Sequence, residues 1–332
     1  MRPVFAALGR SAGIHRHPPV ETGDKGVYVT VAELAAFEAA ARDFGFVRNQ
    51  PARSVLSGRH GSYIHGRGLA FDELRRYLPG DDIRAMDWKV TARTGKPHVR
   101  VFTEERDRPT LIVVDQRINM FFGSVRAMKS VAAAEVAALC AWRVLGQGDR
   151  IGGLVFNDMR IDSFRPARSR EAVMRMLGTV AAQNRELHVE SGTPRTCPQL
   201  DAALEAVAAT EPHDNLIIVI SDFDGHGGRT RRLLSRLAAR NDVVAVLTYD
   251  PFLLKLPKSG EIVVSDGELQ IEIGFADTRL RRNLADMADV QAKEILGWRS
   301  EIGVAVLPIS AAEDTAGQLR RLLGQVAERG RR

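Results

Sequence analysis

From Thr110 onward, short aliphatic runs alternate with longer amphipathic stretches, and that alternation leaves few folds open. TLIVVD (110–115), DRIGGLVFND (149–158), NLIIVISD (215–222), DVVAVLTYD (242–250) and VAVLPI (304–309) are strand-sized and rich in aliphatic residues. Between them, the stretch from Ser124 to Leu145, SREAVMRMLGTVAA (169–182), TCPQLDAALEAVAAT (196–210) and TRRLLSRLAARN (230–241) read as helices. Ser124 is the expected N-cap of the first and Gly146 its stop, and Thr196 with Gln199 forms a capping box for the third. A helix ending near Gly297 and a terminal amphipathic helix complete the series. RIDSFRP (160–166) is expected to return antiparallel to the strand before it, and residues 258–274 to form a hairpin around Asp266-Gly267. Strands separated by helices predict an α/β fold with a mostly parallel sheet covered on both faces.

The first third reads differently. Residues 1–25 carry a short apolar run followed at once by His15, Arg16 and His17, too short for a secretory signal, and are read as a flexible tail. Residues 26–108 are expected to hold a helix over Val31 to Phe44 and a small β-rich module, with residues 109–332 forming the α/β domain. RRYLPGDDIRAMDWKVTARTGKPHVRVF mixes acids and bases closely around a Pro79-Gly80 turn. Gly80, Asp81, Asp82, Arg84, Asp87, Trp88 and Arg93 are assigned to structure there, the charged ones as an internal ion-pair network that holds geometry.

Composition narrows the function. Residues 1–108 hold 18 Lys and Arg against 13 Asp and Glu, so most of the net charge of +6 sits there. These charges are interleaved and aromatics are few, which describes a solvated face, and nucleic acid is not expected as a partner. No apolar stretch approaches the ~20 residues of a membrane span. Cys140 and Cys197 are the only cysteines, which fits a reducing cytoplasm. Neither a P-loop nor a Rossmann glycine fingerprint is present.

In a doubly wound sheet, ligands bind beyond the carboxyl ends of the strands. Three loops there carry polar residues: Asp115, Arg117 and Asn119 after TLIVVD, Thr193 in SGTPRT, and Asp222 with Asp224 in SDFDG. Two aspartates and a hydroxyl on one edge would suit a hard cation such as Mg²⁺.

The run GRGLAFDELRRYLPGDDIRAMDWKVTAR, followed by VRVFTEER and an aliphatic strand ending in aspartate, resembles the domain of unknown function 58 family over about residues 55–250. The resemblance implies a von Willebrand factor A-like domain and a MoxR-type AAA+ ATPase as partner, in chaperone-like assembly or activation of other complexes. The chain would be an adaptor or substrate-recruiting protein, not an enzyme. Von Willebrand A-like domains often hold a cation through D-x-S-x-S, a Thr and a later Asp. Asp115, Thr193 and Asp222 match that pattern, while Arg117 and Asn119 stand where the two serines would be. Asn119 retains a carbonyl oxygen for a ligand. A guanidinium ~4 Å from a divalent cation would cost on the order of 8 kcal/mol at an effective dielectric of ~20. The expectation is therefore that Arg117 replaces the metal by pairing with Asp222 or Asp115. A weakly bound Mg²⁺ on Asp115, Asn119, Thr193 and Asp222 is the alternative. Asp115, Arg117, Asn119, Thr193, Asp222 and Asp224 together would form the partner-binding surface. An enzymatic alternative comes from VISDFDGHGG, which resembles the D-x-D-G-T motif of haloacid-dehalogenase-like phosphatases. Asp222 would then be the nucleophile and Asp224 the general acid/base, with His226 standing where that motif has Thr.

Overall fold

A computed structural model describes residues 25–43, 69–104, 109–188, 199–210, 212–254, 261–265, 270–274 and 278–329. They divide into two compact units. The smaller holds residues 69–104, and the larger joins 25–43 to the described residues from 109 onward.

Helix α1 (Val31–Ala40) opens on a capping box between Thr30 and Glu33. It belongs to the larger unit, where the sequence had grouped it with the N-terminal module. Buried contacts explain the difference. The Trp142 indole N–H donates to the Leu34 carbonyl at 2.9 Å, and the Val29 N–H donates to Asn184 Oδ1 at 2.9 Å.

In the smaller unit, β1 (Leu69–Arg76) pairs antiparallel with β2 (His98–Glu104), and α2 (Trp88–Thr94) lies between them in sequence. Aspartates set its local geometry. Asp81 takes both Nη groups of Arg75, at 2.7 and 2.8 Å, and the Leu78 N–H at 2.8 Å. Asp82 accepts the Arg84 N–H at 2.9 Å. Asp87 caps α2 through the Lys89 and Val90 N–H groups and receives Arg100 Nε at 2.8 Å. Gly80 (φ 106°) and Gly95 (φ 69°) supply turns that need a positive φ. Trp88 departs from its assignment. It opens α2 with 65% of its surface exposed, so it buries little, and Arg84 and Arg93 are exposed as well.

The larger unit is a mixed α/β structure built on a six-stranded, mostly parallel sheet. Its strands are β3 (Thr110–Asp115), β4 (Ile151–Phe156), β5 (Ile161–Ala167), β6 (Leu216–Ser221), β7 (Asp242–Tyr249) and, after the antiparallel hairpin of β8 (Glu261–Ser265) and β9 (Gln270–Gly274), β10 (Ala305–Ser310). The order is β10-β7-β6-β3-β4-β5, all parallel except β5 at the edge. The Asp266-Gly267 turn of the hairpin lies outside the described residues.

Helices cover both faces. Ile112 and Val114 of β3 share one core with α1, α3 (Lys129–Gly146) and α4 (Arg170–Arg185), and Leu111 and Val113 share the other with α5 (Gln199–Ala209) and α6 (Gly228–Ala238). The end of α7 (Thr278–Glu301) joins the second core through Ile295 and Trp298, and α8 (Thr315–Arg329) joins the first through Leu319 and Leu323. This alternation follows from strand geometry, which sends successive side chains to opposite faces. In α3 every residue from Ser130 to Trp142 is buried, and the run of alanines lets the helix lie close against the sheet. Gly153 in β4 has φ 151°, and a Cβ there would sit 1.8 Å from the Ile112 carbonyl oxygen. Only glycine permits that approach of β3 and β4.

Helix α3 starts later than expected. Ser124 does not cap it, because its hydroxyl and N–H both go to Asp250, at 2.6 and 2.8 Å. Val125, expected on the apolar face, is 79% exposed. Met128 stands at the N-cap without a side-chain bond. The segment from Gln116 to Met128 is therefore a long polar-bonded loop at the carboxyl end of β3. Thr196 and Pro198, expected at the start of α5, lie outside the described residues.

Candidate functional site

The sheet order turns back at its centre. After β3 the chain runs out to β4 and β5 and then returns to place β6 on the other side of β3. The loops leaving β3 and β6 therefore part from each other, which opens a crevice at the carboxyl ends of those strands. Asp115 is the last residue of β3, and Asp222 follows the last residue of β6.

Asp115 is fully buried and fully engaged. Its Oδ1 accepts the Arg117 backbone N–H at 2.9 Å and Arg117 Nε at 3.0 Å. Its Oδ2 accepts Arg117 Nη2 at 2.7 Å and the Ser221 hydroxyl at 2.6 Å. The guanidinium turns inward over this carboxylate. It reaches the Asp224 carbonyl at 3.2 Å, lies 3.9 Å from Asp222 Oδ1, and stands 5.7 Å above the Phe156 ring. Arg117 is 9% exposed. Burial alone would pull its pKa down, but the charges of Asp115, Asp222 and Asp224 outweigh burial and hold the guanidinium above its ordinary value.

Asp222 is 8% exposed and holds three partners. Oδ1 accepts the Asn119 side-chain amide at 2.7 Å and the Asp224 N–H at 3.0 Å, and Oδ2 accepts Lys129 Nζ at 2.5 Å. Burial raises its carboxyl, and the adjacent Lys129 and Arg117 charges more than reverse this, so it lies below the ordinary carboxylate range. Asp158, at the end of the β4 strand run, accepts the Ile118 N–H at 2.7 Å, and burial raises its pKa. Asp224 is exposed at the rim, and its carboxyl is raised by desolvation and by the charge of Asp222. Phe223 between them adopts φ 56° with its side chain fully buried, edge-on to Trp298 at 5.1 Å. A non-glycine residue in that region stores strain, which here turns the backbone so that Asp222 and Asp224 flank the crevice.

A second layer fixes the loop. The Gln116 amide donates to the Ser130 carbonyl at 3.0 Å, Asn184 donates to Gln116 Oε1 at 3.0 Å, and Asn184 in turn accepts from Val29.

Of the residues singled out in the sequence, the structure brings Asp115, Arg117, Asn119, Asp222 and Asp224 together. Thr193 lies outside the described residues. Asn119 turns its amide nitrogen, a donor, toward Asp222, which differs from the expected carbonyl ligand. Among the described residues, no group of three or more His, Cys, Asp or Glu side chains is placed to hold a metal. The oxygens a cation would need on Asp115 and Asp222 already accept hydrogen bonds from Arg117, Ser221, Asn119 and Lys129.

Three members were missed. Ser221 and Asp158 each stand at or beyond the end of an aliphatic strand, the same signal that marked Asp115. Lys129 was hidden because α3 was expected to begin five residues earlier, which placed it inside a helix and not at its start.

Residues 73–294 match the family model described as a protein of unknown function, DUF58. Uncharacterised proteins of Mycobacterium bovis and Mycobacterium tuberculosis are each 31% identical over 286 residues, covering 86% of this chain and 88% of theirs. A solved structure of a conserved hypothetical protein, BatB from Bacteroides thetaiotaomicron, aligns with 68% of this chain and all of its own at 14% identity and a TM-score of 0.39.

Proposed function

The chain belongs to the family of unknown function DUF58, and on that premise we propose that it is a non-enzymatic protein–protein interaction module with a von Willebrand A-like domain. Its cation position is filled by the Arg117 guanidinium. In this reading it serves in the cytoplasm as an adaptor or substrate-recruiting partner of a MoxR-type AAA+ ATPase. Of the expected recognition residues, Asp224 at the rim and the half-buried Asn119 face a partner, while the buried Asp115, Arg117 and Asp222 fix the loops that carry them; Thr193, expected in the same surface, lies outside the described residues.

One observation carries the proposal. A fixed positive group sits in the crevice between the carboxylates at the ends of β3 and β6, where the resembled domains hold a divalent ion. A guanidinium cannot exchange with solvent as an ion does. The surface would be permanently formed, and partner binding would need no added metal.

A pull-down against the MoxR-type ATPase, with and without chelator, tests this. Equal capture in both conditions supports the reading, and capture abolished by chelator contradicts it. The phosphatase alternative requires an Asp222 oxygen free to attack phosphorus. Both oxygens accept hydrogen bonds here, one of them from Lys129. Hydrolysis of an aryl phosphate by the wild type that Asp222→Asn abolishes would favour the phosphatase.

A further inference from the structure

Helix α6 carries more arginine than its own packing uses. Thr230, Leu234 and Leu237 face the interior. On the opposite side, Arg232, Ser235 and Arg236 are exposed at helical spacing, and the same line continues through Ala239 at the C-cap to Arg240. The flanking arginines are answered by acids. Arg229 pairs with Glu205, and Arg231 pairs with Glu301 and, at 3.8 Å, with Glu294. Arg232, Arg236 and Arg240 have no acidic partner among the described residues. Within the helix, Arg232 and Arg236 repel one another, while Arg236 and Arg240 at the carboxyl end gain only the weak, solvent-screened attraction of the helix dipole. A row of exposed cations beyond what the helix end uses points to a role outside the fold.

We propose that this stripe docks an acidic helix of a partner protein, one presenting carboxylates at i and i+4. With a rise of 1.5 Å per residue, groups four apart on a helix recur every ~6 Å, so guanidiniums and carboxylates on two facing helices match in register. The arginine fork takes a carboxylate through two parallel hydrogen bonds. Ser235 and Ala239 lie between the arginines and are small enough for a second helix to approach to the ~8–10 Å of packed helix pairs. A shallow groove of about 460 Å³ runs along this line, with Ala239 and Ile302 as its apolar part. Single-stranded nucleic acid is held by stacking on aromatic rings as well as by phosphate contacts, and no aromatic residue lines the groove. An interfacial membrane helix inserts its apolar face, and the apolar face of α6 is spent on the core. The proposal uses none of the residues around Arg117, so it stands or falls apart from the proposed function.

The test is fluorescence anisotropy with the full chain and a labelled alanine-based helical peptide carrying glutamate pairs at i,i+4. An isomer of the same composition with the glutamates spread around the helix is the control. The wild type is expected to bind the spaced peptide at least ~10-fold tighter than the isomer, and the double variant R232E/R236E to lose at least ~10-fold. A lysine-for-glutamate peptide should restore binding to that variant. Should the double reversal unfold the chain, R232Q/R236Q replaces it, with an expected loss of ~3-fold or more. Equal affinity for the two glutamate peptides overturns the proposal. So does an intact double variant that binds as the wild type does, or a single-stranded oligonucleotide or anionic vesicle that binds the stripe while the peptide fails to compete.

Discussion

Replacing Arg117 with methionine keeps an unbranched stem and removes the guanidinium, with its charge, its hydrogen bonds and its contact over Phe156. Asp115 would lose its bonds to Nε and Nη2 and keep those from the Arg117 N–H and the Ser221 hydroxyl. At the observed 2.7 Å, the pair attraction is about 6 kcal/mol at an effective dielectric of ~20. Relief of burying the guanidinium returns part of that. Breaking one side of a buried ion pair leaves a net cost of about 3–5 kcal/mol. Asp115 is 0% exposed and cannot turn to water, so the cost has no easy escape. Urea denaturation at pH 7 should show a deficit in that range. Magnesium should recover part of the loss, since a ligand at ~100 times its Kd stabilises by about 2.7 kcal/mol. A deficit below ~1 kcal/mol that magnesium leaves unchanged would mean that Asp115 does not depend on Arg117 for compensation.

Three further outcomes follow from the same geometry. Asp222 has a lowered folded pKa, so its stabilising effect is present above the ordinary carboxylate value and lost as pH falls through the folded one; Asp222→Asn should flatten the acid limb of a stability-versus-pH curve, and superimposable acid limbs would contradict this. Gly153→Ala forces a Cβ against the Ile112 carbonyl at φ 151°, and a cost of about 3 kcal/mol or more is expected in chemical denaturation; a near-neutral result would mean that β3 and β4 can separate without loss. Trp88→Ala should change stability by no more than about 0.5 kcal/mol, as for other exposed positions, whereas Asp87→Ala, which removes both the α2 cap and the Arg100 partner, should lower the melting midpoint visibly; the reverse order would show that Trp88 is packed in solution.

The sheet was legible because its strands are aliphatic runs bounded by polar residues. That pattern located five of the six strands; β5, whose sequence IDSFRPA is not an aliphatic run, was legible as a short return after β4. Asp115 and Asp222 were legible for the same reason, as aspartates ending such runs. The start of α3 was not. Val125 and Met128 satisfy helical spacing, but the Ser124 hydroxyl and N–H are claimed by Asp250, 126 positions away, and no local signal carries a partner at that separation. Losing that boundary also concealed Lys129. Trp88 was assigned to structure with its neighbours, but it is exposed, and the local geometry rests on Asp87, which caps α2 and receives Arg100. The place of α1 was equally non-local, since it depends on the Trp142 indole and the Asn184 amide reaching back to it.

In the proposed function, a side-chain cation does the work of a bound ion at the ends of β3 and β6. Calorimetric titration of magnesium into the wild-type chain and into Arg117→Ser tests it most directly. The wild type is expected to show no measurable heat of binding at micromolar magnesium, and the variant a new binding site. Stoichiometric micromolar binding by the wild type, or two indistinguishable titrations, would contradict it.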